Sequence, residues 1–223
     1  MKGIALICCT VLVLLTSCFG INADITLNAD GSGSIQLEYR IDESLYDLGM
    51  LDGNERWNTI PVGRADFERT VARLPGMRLR SHSQREESYT NIIITTVRLD
   101  FSNIETLLAF LDASGNRSVM TGNAGGGSLM LTLSDGETLQ SDELKALIAK
   151  YTSYYDGNNL SDYTVRIGIT FPHEANLALT DKEGKPLESS KIEVQPRGRT
   201  VSLTVPLREI LTNERGIRAE FRW

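Results

Sequence analysis

The chain has 223 residues, 41% of them hydrophobic, and a formal net charge of −6. That length is enough for one well-buried core or two small ones. The acidic balance repels a phosphate backbone and argues against nucleic acid as a partner. Of the 23 lysines and arginines, 17 are arginine. Arginine suits planar pairing with carboxylate or phosphate, but a plain solvated surface is the favoured explanation of the count.

The first eighteen residues organise the rest. Lys2 gives a positive start, and Ile4 to Leu15 is an uncharged, largely apolar run. The run fits the apolar core of a signal peptide and is too short to span a bilayer. It ends in Leu15-Thr16-Ser17-Cys18, which resembles the bacterial lipobox. The resemblance implies a diacylglyceryl group on the Cys18 sulfur, cleavage between Ser17 and Cys18, and acylation of the new N-terminus. An ordinary signal peptide or an N-terminal anchor helix is the competing reading. All three cysteines, Cys8, Cys9 and Cys18, fall in this segment. The mature chain then has no thiol for a nucleophile, a zinc site or redox exchange, in keeping with export to an oxidising compartment. Stable anchoring needs two or more acyl chains. With the first strand starting at Asp24, residues 18–23 form a tether, and Phe19 to Ala23 reaches at most about 17 Å. The folded part is expected close to the bilayer, lipid-anchored in the bacterial cell envelope, on a periplasmic or outer-surface face. The residue after the cysteine, Phe19, does not fix the leaflet.

The alternation of Ile25, Leu27 and Ala29, the turn Asp30-Gly31-Ser32-Gly33, and then Ile35, Leu37, Tyr39 and Ile41 predict an opening hairpin. The acidic turn lacks the full calcium-loop pattern and reads as turn chemistry. A helical turn over Glu43–Gly49 and a loop over 50–60 follow. Phe67, Val71 and Leu74 at i, i+4 and i+7 predict a helix over Val62–Leu74, stopped by Pro75-Gly76. Met77–Arg85 and Tyr89–Phe101 read as strands, the second with Ile93, Thr95, Val97, Leu99 and Phe101 on one face. Ser102-x-x-Glu105 reads as a capping box for a helix carrying Ile104, Leu107, Leu108 and Leu111. The glycine run 122–127 is followed by the alternation of Leu129, Leu131 and Leu133, so it reads as a hairpin loop and not a phosphate cradle. Ser141–Tyr155 is the clearest helix, with Leu144, Leu147, Ile148 and Tyr151 on its apolar face. Tyr151, Tyr154 and Tyr155 cluster at its end, where core packing competes with a ligand-stacking role. The last quarter is strand-rich: Tyr163–Phe171, Leu177 and Leu179, Ile192 and Val194, Val201–Val205, a short helix over Pro206–Leu211, and Ile217–Trp223.

Chemistry-bearing motifs are sparse. The two histidines, His82 and His173, belong to no metalloprotease pattern, and the chain shows no nucleophile elbow, Walker loop or dinucleotide fingerprint. His173 reads as a turn residue after Pro172. His82 reads as exposed, beside Arg78 and Arg80 on one face of a polar strand. Nothing selects a pair of carboxylates for hydrolytic chemistry. Catalytic residues, cofactor and metal are all expected to be none, and the chain is expected not to be an enzyme.

The order of lipobox cysteine, short tether, strand, Asn28-Ala29-Asp30-Gly31-Ser32-Gly33, strand and Tyr39-Arg40-Ile41 looks like that of lipoproteins with an LppM-like domain, known from mycobacteria and other bacteria. The similarity covers roughly residues 18 to 171. It implies a mixed α/β domain with a curved sheet, an apolar cavity, and lipid or lipoglycan binding at the envelope. This chain departs from the mycobacterial pattern in ending at Trp223 with added strands instead of a C-terminal transmembrane segment.

The expected architecture is α+β: a mixed, curved sheet with three main helices over 24–157, a linker at 156–159, and a small β-rich domain over 161–223. The expected function is a non-catalytic envelope module that binds a partner protein or organises the membrane surface, with a lipid carrier as the alternative.

Overall fold

The computed structural model describes residues 20–42, 63–87, 92–112, 115, 117–136 and 164–223. Ser17 and Cys18, the segment 43–60, the Ser141–Tyr155 helix with its tyrosines, and the 156–159 linker lie outside those residues.

The opening hairpin is present as β1 (Gly20–Leu27) and β2 (Gly33–Asp42). Ala23, Ile25 and Leu27 are buried on one face of β1, and Asp24 and Thr26 are exposed on the other. The turn closes through Asp30, whose Oδ1 accepts from the Ser32 amide at 2.9 Å. Gly33 is required by close approach. A Cβ there would lie 2.0 Å from the Thr26 carbonyl oxygen and 2.4 Å from the Phe101 ring.

β1 begins at Gly20, so four of the six residues assigned to a tether are strand. Gly20 and Asn22 are weak strand formers. They are held because β1 is bonded on both sides, antiparallel to β2 and parallel to β7 (Thr164–Thr170).

Helix α1 (Arg64–Ala72) buries Phe67, and the Asp66 carboxylate accepts from the Gly63 amide at its start, 3.1 Å away. β3 (Met77–Glu87) and β4 (Ile92–Phe101) follow. Helix α2 (Ile104–Leu111) is capped by Asn103, not by Ser102: the Asn103 Oδ1 accepts from the Thr106 amide at 2.8 Å. The Thr106 hydroxyl also donates to the Pro75 carbonyl at 2.9 Å, tying α2 to the turn before β3. The glycine run forms the tip of a hairpin between β5 (Ser118–Asn123) and β6 (Gly126–Ser134). The remaining elements are β8 (Asn176–Thr180), β9 (Glu193–Arg197), β10 (Thr200–Pro206), α3 (Leu207–Thr212) and β11 (Ile217–Arg222).

The architecture is α+β. A seven-stranded mixed sheet has the order β3-β4-β2-β1-β7-β10-β9, and a four-stranded antiparallel sheet has the order β5-β6-β11-β8. The strands after residue 161 form no sheet of their own. β7, β10 and β9 extend the sheet begun by β1–β4, and β11 and β8 extend the one begun by β5 and β6. The expectation of a separate C-terminal β domain is therefore corrected. Alternation in β7, β10 and β11 shows that each has one buried face, but it carries no information about which strand lies alongside.

The two sheets share one core. Ile25, Leu37, Leu99, Ile169 and Leu203 from the large sheet cluster with Leu131, Ile217, Ala219 and Phe221 from the small one. Fully burying such a side chain contributes about 1.5–3 kcal/mol relative to exposure. At one end of the sandwich Trp223 stacks on Phe171 with ring centroids 4.6 Å apart, and its indole N–H donates to the Ala124 carbonyl at 3.1 Å. The β5–β6 hairpin is thereby held to the end of β7.

β3 corrects the reading of His82. The pairing of β3 with β4 breaks between Leu79 and Ser81, leaving Arg80 as an extra residue. In a regular strand His82 would share a face with Arg78 and Arg80. The bulge turns it onto the face of Leu79, opposite Val97, where its ring lies 5.9 Å from that of Phe67 and it is half-buried.

Candidate functional site

A cleft lies at the end of the sandwich where β1 finishes. It is open, about 390 Å³ in volume, and three elements converge on it: the β1–β2 turn, the start of α2 and the β5–β6 hairpin. Ile104, Leu108, Met120 and Ala124 supply apolar wall, and Asp30, Asn103, Glu105 and Asn123 supply polar groups.

Local folding fixes most of these polar groups. Asp30 accepts from the amide and hydroxyl of Ser32, and those two bonds hold its carboxyl below the ordinary value of 3.8. Asn103 gives its oxygen to the α2 cap, and Asn123 accepts from the Gly125 amide at 2.8 Å. Gly122 makes the hairpin possible, since its φ is +89° and a Cβ would lie 2.4 Å from the Gly126 carbonyl oxygen. Carboxylates and amides above an aliphatic wall suit hydrogen-bonded recognition of a polar segment next to an apolar group.

The residues singled out from sequence are not gathered here. Cys18 and Ser17 lie outside the described residues. His82 sits under α1, and His173 is exposed in the loop after β7. Sequence reasoning marked both hairpin turns but missed their meeting with Glu105 and Met120, because that meeting depends on how the two sheets stack. Among the described residues no group of three or more histidine, cysteine or acidic side chains could hold a metal ion, and no helix is long and apolar enough to cross a membrane.

No family model matches the chain, and no curated protein matches it. Among solved structures it is similar to the folded domain of LppM from Mycobacterium tuberculosis, determined by NMR. The identity is 13%, the match covers 92% of this chain and 90% of that one, and the TM-score is 0.43. Both values are low, so the functional reading rests on this chain's own residues.

Proposed function

We propose that the chain is a non-catalytic bacterial envelope lipoprotein, anchored through lipid on Cys18, whose hairpin cleft receives a partner at the envelope. The observation that carries this reading is the placement of β1. The strand starts two residues after Cys18 and ends at the cleft. From Gly20 to Leu27 it rises about 23 Å at roughly 3.3 Å per residue. A lipid on Cys18 would therefore hold one end of the sandwich at the bilayer and turn the cleft away from it, toward another envelope component.

Two experiments test the reading. In Cys18→Ala the chain should accumulate as an uncleaved precursor without lipid, read by intact mass. Normal processing and membrane retention would overturn the anchor. A photocrosslinking residue at Met120 in the cleft should yield an envelope adduct that the same residue at Ser202, on the opposite face of the large sheet, does not. Identical patterns would overturn the role of the cleft.

A second reading, lipid carriage, is favoured by one pair in the core. Thr95 is 1% exposed, its hydroxyl has no hydrogen-bond partner among the described residues, and it lies across from buried Tyr39. A ligand head group reaching between the sheets would satisfy that hydroxyl. Native mass spectrometry distinguishes the readings by a co-purifying adduct of lipid mass. The chain must keep Gly20 to Ala23, because trimming to residue 24 would remove half of β1.

A further inference from the structure

We propose that the hairpin cleft takes an extended segment of a partner protein, added as a strand to the free edge of β5. The inference rests on the reading that this cleft receives a partner. It names what the partner presents: an extended stretch carrying an apolar and a basic side chain.

The first support is a contrast among edges. The two sheets end in β3, β9, β5 and β8. An exposed edge invites pairing with another chain, and folds block such edges with charge, proline, bulges or covering chain. β3 is bulged at Arg80 and carries Arg85, Glu86 and Glu87 at its end. β9 contains Pro196. β8 is closed by the chain itself, through a bridge from Thr180 to Pro186 and a bond from the Leu187 amide to the Leu179 carbonyl at 3.0 Å. β5 has no charged residue, no proline and no register shift against β6. It also carries Val119, which among the described residues is the one large hydrophobic side chain left exposed, at 46%.

The second support is the backbone. The Thr132 amide donates to the Arg117 carbonyl at 2.6 Å, which sets the phase of the β5–β6 ladder. Backbone groups alternate in direction along an antiparallel strand, so Val119 and Thr121 turn theirs toward β6, and Ser118 and Met120 turn theirs away. The Ser118 amide meets the Asp112 carboxylate at 2.9 Å, at the end of α2. Helix α2 therefore lies on the free side of β5. Its start lies by the hairpin tip: a Cβ on Gly31 would sit 3.9 Å from the Ile104 side chain and 4.0 Å from that of Ala124. The cleft is thus a trough between a helix and a strand edge, with Ile104 and Leu108 on one side and Met120 on the other. The Ser118 carbonyl and the Met120 amide and carbonyl turn toward it, and among the described residues no turn, loop or cap bond takes them.

The trough selects its occupant. An added strand satisfies backbone amides and carbonyls in a row, and alternate side chains fill the flanking pocket. Because α2 flanks the edge, there is room for one extended segment. The β5 of a second copy would bring its own β6 and α2 against this helix. Charge adds a further requirement. Asp30 and Glu105 line the trough, and no lysine or arginine does. Asp30 accepts both bonds from Ser32 through Oδ1, which leaves Oδ2 for another donor. The start of α2 contributes roughly half a positive charge against these two carboxylates. An apolar residue of the segment would rest on Ile104 and Leu108, with a lysine or arginine beside the carboxylates.

The test uses the full mature lipoprotein in neutral detergent micelles and a library of random end-blocked peptides of about eight residues. Selected peptides should alternate apolar residues, carry a lysine or arginine, and compete with photocrosslinking from Met120. In the tightest of them, N-methylation of every second amide should weaken binding at least about tenfold, and N-methylation of the intervening amides should leave it unchanged. Glu105→Lys should weaken binding at least about tenfold and favour the same peptide with glutamate in place of its basic residue. Arg197→Gln, remote on β9, should bind as wild type. Because Glu105 is exposed, the variant should fold, and an unchanged amide spectrum away from the cleft checks this. A library without any peptide that competes at Met120 would overturn the cleft reading, and this inference with it. Competing peptides that tolerate N-methylation at every position would overturn strand addition alone and leave the cleft reading standing. Crosslinks joining Met120 to Met120 of a second copy would assign the edge to self-pairing and overturn the single-segment trough.

Discussion

Thr95 and Asp181 show how single residues set stability here. The Thr95 hydroxyl is buried between Tyr39 and Gln84 on the neighbouring strands and has no partner among the described residues. An unsatisfied buried polar group costs about 1–3 kcal/mol. Thr95→Val keeps the shape and removes the cost, so it should raise stability by about 1 kcal/mol in urea unfolding. A loss of stability would mean that the hydroxyl is satisfied in solution, as lipid carriage requires. Asp181 behaves in the opposite way. Its carboxylate accepts from Arg215 at 2.7 Å and from the amides of Glu183 and Lys185, and the arginine above all lowers its pKa from the ordinary 3.8. A carboxyl depressed by folding stabilises the native state above its unfolded pKa, and that contribution disappears as pH falls through the folded value. Stability should therefore drop on acidification below about pH 4. In Asp181→Asn the drop between about pH 6 and about pH 3 should be smaller than in wild type. Equal drops would place the acid sensitivity elsewhere, with Glu220 beside Arg222 the next group to replace.

At the scale of elements, much was legible. The hairpin turn at Asp30, the Pro75-Gly76 stop and the alternation in β7, β10 and β11 are local patterns, and each element formed where its pattern lies. The misses share a cause. β1 starts four residues early because strands on both sides hold it, the cap of α2 moves to Asn103 because that side chain reaches the Thr106 amide, and the β3 bulge answers to β4 and α1. The β1–β2 hairpin also depends on a contact invisible in its own sequence. Phe101 packs where Gly33 has no side chain. Gly33→Ala should force the ring or the strand aside and cost about 1–3 kcal/mol, seen as a lower urea midpoint. An unchanged midpoint would show that β2 yields without strain.

The whole molecule is one sandwich assembled from both ends of the chain. β1 lies at the middle of the large sheet, and its parallel partner β7 is more than a hundred residues away in sequence. Residues 161–223 alone would lack β1 beside β7 and β6 beside β11. That fragment should show no cooperative urea transition, whereas a cooperative transition would restore the two-domain division. The hairpin cleft also belongs to this scale, because it joins residues from 29 to 125. Its side chains are legible as turns, caps and charges, but their convergence is not.

The sequence by itself determined the turn at Asp30, the stop at Pro75-Gly76 and the alternating buried face of β7, β10 and β11. All of these follow from short-range chemistry and from periods of 2 and 3.6 residues. Only the tertiary structure decided that β7, β9 and β10 join β1, that the second sheet closes over the first, and that the β3 bulge turns His82 onto the core face beneath α1. Strand pairing and sheet stacking depend on which buried faces meet, and one apolar face is chemically much like another. Choosing among them takes the packing of the whole core.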